Sequence, residues 1–343
     1  MDDGVTRRDI ERLASEFRPL FSGKKILVTG GAGFLGSWLC DVFVMCGSNV
    51  DCLDNMTTSD GRNIEHLKEK VNLITESVER VDLRRYNHDF IFNFSSRASP
   101  DEYIQHPIET LSANSLGALN ILEHTKESNS VLVHASTSEI YGDPTIVPTP
   151  ESYYGNTNSI GVRSCYDEGK RFAEAACMAY FRQYGTDIKL VRIFNSYGPR
   201  IRADGLYGRA LPRFINQALS DEQITIYGNG LQTRSFCYVS DTIRGILKLA
   251  GHKDSGLVVN IGNPVEITIL ELARRIVELT NSKSSLTFAA LMQDDPRRRC
   301  PDITIANSLL EWQPEVSLEE GLTKTIDWFK DHQSSRMQAT AKI

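Results

Sequence analysis

The chain has 343 residues, of which 41% are hydrophobic and 24% charged, as in an ordinary globular protein with one large domain or two intimate ones. The formal net charge of −6 argues against a nucleic-acid-binding protein, which needs a basic face to neutralise phosphates. The seven cysteines form no Cys-x-x-Cys pair, which favours free thiols in a reducing compartment and gives no support for a metal site.

The first segment, MDDGVTRRDIERLASEF, is charged throughout and has no apolar core, so it is not a signal peptide. It predicts a short amphipathic helix within an N-terminal extension, residues 1–23. No apolar run approaches the ~18 residues of a membrane span. We therefore expect a soluble, cytoplasmic protein that binds neither membranes nor nucleic acid.

Between residues 24 and 194, short apolar runs alternate with longer helix-like stretches. Strands spaced by helices are typical of βαβ units and a parallel sheet covered on both faces. The fold class is therefore α/β, with a doubly wound (Rossmann), mostly parallel sheet. The predicted strands are 25–29, 49–53, 71–74, 89–94, 130–135 and 187–193, and the predicted helices are 34–46, 110–128 and 164–184.

After residue 195 the predicted elements become shorter, with turns at SYGPR, YGNG and NPVE. This pattern predicts a smaller C-terminal α/β lobe over 195–332, with part of 239–262 returning to the first domain. The last residues, 333–343, show no periodicity and predict a disordered tail.

A glycine-rich turn follows the first predicted strand and opens the first helix of a βαβ unit. It contains Gly31-x-Gly33-x-x-Gly36 and also Gly30-x-x-Gly33-x-x-Gly36. Glycines tighten such a turn and let the backbone approach a pyrophosphate, which then meets the unpaired N–H groups of the helix N-terminus. A tight structural turn is the alternative. We predict a dinucleotide site at Gly30, Gly33, Phe34, Leu35 and Gly36.

Asp54 ends the second predicted strand, 18 residues after Gly36. A carboxylate there can accept hydrogen bonds from both hydroxyls of an adenine ribose and would repel a 2′-phosphate, which favours NAD over NADP. A surface aspartate that caps a turn is the alternative.

Tyr166 and Lys170 lie four residues apart on a predicted helix and therefore on one face of it. The helix follows the fifth predicted strand, and Thr137 lies just beyond that strand. A phenol has a pKa of ~10, so it is a poor base at neutral pH. A nearby ammonium and a positive nicotinamide would lower that pKa and let Tyr166 take a proton from an alcohol, with Thr137 holding the same oxygen. A surface pair on an amphipathic helix is the alternative.

The glycine pattern, Thr137, Tyr166 and Lys170, in this order, resemble the extended short-chain dehydrogenase/reductase superfamily. Several further motifs resemble its UDP-glucuronate decarboxylases over about residues 24–330: TSEIYGDP, GNTNSIGVRSCYDEGKR, RIFNSYGPR, YGNGLQTRSFCYVSD and DDPRRRCPDIT. The resemblance implies a tightly bound NAD that is reduced and reoxidised while C4 of a hexuronate is oxidised, CO2 leaves the β-keto acid and C4 is reduced again. It also implies a C-terminal lobe that binds the nucleotide sugar.

The resemblance also assigns roles to individual residues. Tyr166, Lys170 and Thr137 would act at C4, and Arg234 would bind the sugar carboxylate, with a structural salt bridge as its alternative. Glu139 would lie near C5 and C6, where it would handle a proton or favour CO2 loss by repulsion. The remaining implied positions are Asn55, Ser95 and Asn114 for the cofactor, Tyr103 for the sugar, and Asn195, Arg200, Tyr227, Gln232 and Arg298 for the nucleotide diphosphate.

Three positions depart from the family pattern. Ser59-Asp60-Gly61 stands where the family usually has Gly-Arg-Lys, so the cofactor phosphate is expected to be held differently. Arg97 and Val162 replace usual prolines. Arg97 would bring an added cation close to the nicotinamide and the sugar, which bears directly on substrate identity.

Three functions are therefore compared: a hexuronate decarboxylase, a C4-epimerase with the same oxidation step, and a non-catalytic NAD- or nucleotide-sugar-binding protein. The intact set of Thr137, Glu139, Tyr166 and Lys170 argues against the third. Ser138 argues against a 4,6-dehydratase, which would be expected to carry an aspartic acid here to protonate a departing hydroxyl. The resemblance also implies a homodimer that pairs helices 110–128 and 164–184 in a four-helix interface.

Overall fold

The computed structural model describes residues 4–203, 209–291 and 295–340. Its helices are α1 (Gly4–Phe21), α2 (Phe34–Cys46), α3 (Pro100–Gln105), α4 (Pro107–Ser128), α5 (Ser164–Tyr184), α6 (Ala210–Leu219), α7 (Val239–Ala250), α8 (Ile269–Thr280), α9 (Thr304–Leu310) and α10 (Leu318–Thr340). Its strands are β1 (Lys25–Thr29), β2 (Asn49–Leu53), β3 (Asn72–Ile74), β4 (Phe90–Asn93), β5 (Val131–Thr137), β6 (Ile188–Ile193), β7 (Ser196–Tyr197), β8 (Ile224–Tyr227), β9 (Thr233–Ser235), β10 (Cys237–Tyr238), β11 (Leu257–Ile261), β12 (Glu266–Thr268), β13 (Leu286–Ala289) and β14 (Arg298–Arg299).

Seven of these strands form one parallel sheet in the order β11-β6-β5-β4-β1-β2-β3. The chain builds the sheet outward from β1, first to β2 and β3 and then, on the other side, to β4, β5 and β6. This reversal leaves a crevice at the carboxyl ends of β1 and β4, which is where such sheets bind ligands. The predicted doubly wound α/β fold is therefore confirmed.

The predicted elements of the first domain coincide with the observed ones to within a few residues. The helix predicted from residue 110 begins at Pro107, since proline is well suited to the first turn of a helix, where its missing N–H has no partner to lose. The strand predicted to end at residue 135 continues to Thr137. Thr137 is thus the last residue of a central strand, at the edge of the crevice.

The second lobe is built from small sheets and helices between residues 195 and 332. Strand β9 pairs with β12 and β14, and β8 pairs with β13. Helix α7 and strand β11 return to the first domain, where β11 pairs with β6 at the edge of the large sheet. The lobe therefore shares an interface with the sheet, and its strands β9 and β14 contribute side chains to the crevice.

Helix α1 packs along α2 with its apolar face buried, as the amphipathic pattern predicts. Leu13, Phe17 and Phe21 are all buried, and the rings of Phe21 and Phe43 meet edge-on at 4.9 Å. Asp9 accepts a hydrogen bond of 3.1 Å from the Tyr238 hydroxyl. The N-terminal extension is thus part of the core and ties α2 to the second lobe.

The last helix differs from expectation, because α10 continues to Thr340 where the sequence predicts a disordered tail from residue 333. Adding residues to an existing helix avoids the cost of nucleation, so a polar segment without periodicity of its own can continue one. Residues 341–343 lie outside the described residues. In the part of the chain that the structure describes, none of the helices combines the length and apolar character that a membrane crossing requires.

A buried ion pair beneath the crevice gives a test of this packing. Arg192 of β6 donates to both carboxylate oxygens of Glu174 on α5, at 2.9 and 2.7 Å, and to the Tyr141 hydroxyl at 2.8 Å. Replacing Arg192→Met leaves Glu174 charged and buried, so we expect the free energy of unfolding to fall by about 3–5 kcal/mol in urea titration. The exposed pair Arg275–Glu271, at 2.7 Å, provides the control, and Arg275→Met should cost no more than about 1 kcal/mol. Equal losses in the two variants would contradict the assignment.

Candidate active site

The glycine-rich turn between β1 and α2 leaves no room for side chains. A Cβ on Gly36 would lie 2.1 Å from the Gly30 carbonyl oxygen, and one on Gly30 would lie 2.7 Å from the Phe94 carbonyl oxygen. Gly30 also has a φ of +66°, a conformation that favours glycine. The turn therefore brings the N-terminus of α2 to the crevice with bare backbone around it.

Asp54 follows β2 directly and is buried. Its carboxylate accepts hydrogen bonds from the Ala32 N–H at 3.0 Å and from the Met56 N–H at 2.9 Å. Burial raises the pKa of Asp54, although these two N–H groups oppose the shift. Asp54 is therefore fixed against the glycine-rich turn, unlike the surface aspartate of the alternative interpretation.

One cavity of about 1890 Å³ extends from the glycine-rich turn into the second lobe. This exceeds the roughly 300–1,000 Å³ of a pocket for one small ligand, so two ligands have room side by side. Most of the predicted site residues line it: Gly30, Gly33, Phe34, Leu35, Gly36, Asp54, Asn55, Ser95, Tyr103, Thr137, Glu139, Tyr166, Lys170, Asn195, Arg200, Tyr227, Gln232 and Arg234.

Two predicted site residues do not line the cavity. Asn114 is buried on α4 beside Gly169 of α5, and its side-chain amide donates to the Thr110 carbonyl oxygen at 3.0 Å. Arg298 is half exposed and pairs with Glu266. Adjacent strand residues point to opposite sides, so in β14 the neighbouring Arg299 faces the cavity and Arg298 faces away. The role of Arg298 as a diphosphate ligand stays a prediction, which its position outside the cavity does not support.

Tyr166, Thr137 and Lys170 meet at the carboxyl end of β5. The Thr137 hydroxyl lies near the Tyr166 hydroxyl, and both side chains line the cavity. The Lys170 ammonium donates to the Ala135 carbonyl oxygen at 2.9 Å and lies 5.9 Å from the centre of the Tyr166 ring. The predicted catalytic trio is thus assembled in the chain.

The ionisation of this trio is set by its burial in the chain by itself. Burial, together with the Glu139 charge, raises the pKa of Tyr166 to about 12, against the opposing effects of the Thr137 hydroxyl and the Arg209 charge. Burial lowers the pKa of Lys170 to about 8. The expected lowering of the Tyr166 pKa by Lys170 together with a positive nicotinamide stays a prediction for the assembled site, and in the chain by itself Lys170 is directed to the Ala135 carbonyl oxygen.

Tyr103 covers the other side of Tyr166. The two rings are stacked with their centres 5.2 Å apart and their planes within 12°. Tyr103 is fully buried, and its hydroxyl has no hydrogen-bond partner among the residues described. Its predicted place in the sugar pocket is consistent with this unsatisfied group at the cavity wall.

Glu139 lies in a cluster of arginines that the sequence analysis largely missed. Arg163 forms a short ion pair with one of its oxygens, and Arg299 binds both oxygens, at 2.7 and 2.8 Å. Arg234 faces the same carboxylate and is itself paired with Asp295 at 2.9 Å. Burial would raise the pKa of Glu139, but the three arginines together hold it below its usual value.

Arg163 and Arg299 are therefore site residues that sequence reasoning did not identify. Arg163 precedes Tyr166 by three residues, about one helical turn, and that spacing was a signal available in RSCYDEGK. Arg299 is 160 positions from Glu139. No local pattern connects residues so far apart.

The remaining predicted diphosphate ligands have partners within the chain. Arg200 pairs with Asp41 of α2 at 2.6 Å, which places it on the dinucleotide side of the cavity. Asn195 donates to the Ser235 carbonyl oxygen at 2.9 Å. Gln232 donates to the Tyr227 carbonyl oxygen at 2.8 Å. These contacts hold the cavity wall in place.

Two of the three departures from the family pattern introduce charged residues, and each of these has an oppositely charged partner nearby. Arg62 pairs with Asp60 at 2.6 Å. Arg97 pairs with Glu102 of α3 at 2.6 Å, and both side chains are largely buried. Val162 is half exposed. The added cation at Arg97 is therefore neutralised by Glu102 in the chain itself.

Comparisons with known proteins agree with this geometry. Residues 26–262 match the NAD dependent epimerase/dehydratase family. The chain is 46% identical to UDP-glucuronic acid decarboxylase 1 of Xenopus tropicalis over 317 residues, which cover 91% of this chain and 74% of the relative. It is structurally similar to the UDP-glucose 4-epimerase of Thermotoga maritima, with a TM-score of 0.84, 29% identity and coverage of 90% and 99% of the two chains. It is also structurally similar to the UDP-glucuronic acid 4-epimerase of Bacillus cereus, solved with UDP-glucuronic acid and NAD. The TM-score is 0.81, the identity is 27%, and the match covers 90% of this chain and 99% of the epimerase.

The glycine-rich turn yields a direct test. In Gly36→Ala the added methyl group must displace the Gly30 carbonyl, so we expect a loss of about 1–3 kcal/mol in the free energy of unfolding, measured by urea titration. Gly4→Ala is the control, because nothing lies within 4 Å of the Cβ it adds. A Gly36→Ala protein as stable as the control would show that the turn does not require glycine.

Proposed function

The chain belongs to the NAD dependent epimerase/dehydratase family, and we propose that it is a carboxy-lyase that converts UDP-glucuronate into UDP-xylose and CO2. The observation that carries this proposal is 46% identity over 91% of the chain to a UDP-glucuronic acid decarboxylase, against 29% and 27% to the two epimerases. When bound, NAD supplies the acceptor for the C4 hydride and returns it, so the net change is a C5–C6 bond replaced by a C5–H bond with uptake of one proton.

The residues around the glycine-rich turn fit NAD. Gly30 and Gly36 leave a cradle that a Cβ would fill, and this cradle with the N-terminus of α2 would hold the pyrophosphate. Asp54 would accept hydrogen bonds from the adenine ribose, and its carboxylate favours NAD over the 2′-phosphorylated cofactor. Asn55 and Ser95 line the same part of the cavity.

Tyr166 is the proposed base for the C4 hydroxyl. Its hydroxyl lies near that of Thr137 and both side chains line the cavity, so together they would hold the C4 oxygen there. With a pKa of about 12 in the chain by itself, Tyr166 is protonated before any ligand binds. A positive charge at the assembled site must lower this pKa before Tyr166 can accept a proton.

The arginines around Glu139 provide the proposed anchor for the sugar acid. Arg234 and Arg299 line the cavity and carry planar guanidinium groups, which suit a carboxylate. Glu139 itself is ionised, because these arginines lower its pKa. An ionised carboxylate is a poor proton donor, so of its two proposed roles we favour repulsion of the C6 carboxylate.

Position 138 favours loss of CO2 over elimination of water. Ser138 is buried beside Thr137 at the cavity, where its hydroxyl is too weak an acid to protonate a departing hydroxyl group. Loss of CO2 needs no such acid. A C4-epimerase of the same substrate remains the second candidate, because of the 27% identity to the Bacillus cereus enzyme.

We also propose that the chain forms a homodimer through α4 and α5. These helices pack on each other and leave large apolar side chains exposed on their outer faces: Ile108, Leu111, Leu116 and Phe172. Isolated exposed apolar residues are common, but a set shared by two packed helices is typical of an interface. Two copies would then form a four-helix contact.

Replacing Tyr166→Phe tests the catalytic assignment. With UDP-glucuronate labelled at C6, the wild-type protein and NAD should release labelled CO2, and the variant should be slower by at least ~10²-fold because the base is lost. Tyr154→Phe is the control, since Tyr154 is 91% exposed, and it should keep full activity.

The products of the same assay distinguish a decarboxylase from a C4-epimerase. UDP-xylose together with labelled CO2 supports the decarboxylase. Labelled UDP-galacturonate without CO2 would overturn it in favour of the epimerase. Unchanged turnover in Tyr166→Phe would remove the catalytic assignment in either case.

The dimer is tested by placing a charge on the outer face of α4. Leu116→Glu should convert the dimer to monomer in sedimentation velocity, because an unpaired carboxylate would be buried at the contact. Val265→Glu changes an equally exposed residue of the second lobe and should leave the dimer intact. Loss of the dimer in both variants, or in neither, would contradict the proposed interface.

A further inference from the structure

Arg163 occupies a central place among the residues around Tyr166. It immediately precedes α5 and is only 6% exposed. Its guanidinium forms the short ion pair with Glu139, lies 3.9 Å from the Asp167 carboxylate and sits 5.7 Å from the centre of the Tyr103 ring. Arg163 thus lies beside three groups: the Glu139 carboxylate after β5, the Asp167 carboxylate of α5, and the Tyr103 ring that is stacked on Tyr166.

Arg163 and Arg299 both bind Glu139, but they are attached to different parts of the molecule. Arg299 belongs to β14 of the second lobe, and its other neighbour is Asn195 at 3.5 Å. Arg163 lies one helical turn before Tyr166 at the start of α5. Glu139 is therefore held by Arg299 from the second lobe and by Arg163 from the helix start that also carries Tyr166.

A buried guanidinium is stable only with partners that stay in place. Asp167 supplies one partner from the first turn of α5, and one of its oxygens has no hydrogen-bond partner among the described residues. Tyr103 supplies a ring face, which attracts a cation. These contacts leave Arg163 little freedom, so it can act as a fixed support for Glu139.

We propose that Arg163 is a positioning residue, which holds the Glu139 carboxylate and the Tyr103 ring in register with Tyr166 for the reaction. The proposal rests on the proposed function, because Glu139 and Tyr166 act in that reaction. Arg163 also adds a positive charge beside Glu139 that does not depend on the second lobe. It works through Glu139 and Tyr103 rather than on the reacting atoms.

The groups that face Glu139 determine how its charge responds to pH. They are Arg163 just before α5, Asp167 and Tyr166 from α5, Tyr103 from α3, Arg209 just before α6, Arg234 from β9 and Arg299 from β14. Arg163 is among the cations that lower the Glu139 pKa, so its removal must raise that pKa. Activity that needs an ionised Glu139 will then be lost at a higher pH as the solution is acidified.

The test compares Arg163→Gln with Arg163→Lys, which keeps the charge but not the forked guanidinium. In Arg163→Gln we expect kcat to fall about 10²-fold with little change in KM, because the reacting groups are misplaced while the substrate contacts remain. The acid limb of the kcat profile should also move to higher pH. In Arg163→Lys we expect a smaller loss of kcat and an acid limb close to that of the wild type.

Arg182→Gln, an exposed change on the same helix, is the control and should match the wild type. NAD affinity by calorimetry and the unfolding midpoint are measured for every variant, so a general loss of structure is recognised. If Arg163→Gln does not fold, the proposal is tested with Arg163→Lys alone. A kcat equal to that of the wild type in Arg163→Lys then overturns the proposal. Wild-type kcat and an unmoved acid limb in a folded Arg163→Gln overturn it as well. A wild-type protein that releases no CO2 contradicts the proposed function instead.

Discussion

The reversal of strand order at β1 is the constraint on which the site depends. Because parallel strands end at the same edge of a sheet, one edge collects the glycine-rich turn after β1, Asp54 after β2, Ser95 after β4 and Thr137 at the end of β5. The helices that follow bring Tyr166 and Lys170 to the same edge. No part of this arrangement needs contacts specific to a ligand, so the sheet and its helices are enough to assemble it.

Much of the fold and the proximity of Thr137, Tyr166 and Lys170 could be predicted because their signals are local. Apolar runs predict the strands, and the glycine spacing predicts the turn that follows the first strand. The four-residue interval predicts that Tyr166 and Lys170 share one face of a helix. The arginine cluster could not be predicted in the same way. Arg299 reaches Glu139 across 160 positions, and only the strand register of β14 decides that Arg299 rather than Arg298 faces the cavity. Similarly, Arg200 is bound to Asp41 of α2, a pairing that depends on how the lobes meet.

The guanidinium groups near Glu139 already have carboxylate partners before any substrate arrives. Arg163 and Arg299 pair with Glu139, and Arg234 pairs with Asp295. Arg209 adds a further positive charge that acts on both Glu139 and Tyr166. An anionic ligand must therefore compete with Glu139 and Asp295 for the first three guanidinium groups, and these carboxylates reduce the cost of keeping the arginines buried until the ligand binds.

Because Arg97 and Glu102 form an ion pair, the effect of a substitution at one position depends on which residue stands at the other. The family pattern has an uncharged proline at the first of them, and the partner carboxylate here keeps the wall of the cavity neutral. Replacing Glu102 alone would leave Arg97 as a largely buried charge without this carboxylate, whereas replacing Arg97 alone would leave Glu102 paired with Arg202 at 3.4 Å. Arg97 should therefore occur only together with Glu102, and a hybrid enzyme that inherits Arg97 must inherit Glu102 from the same parent.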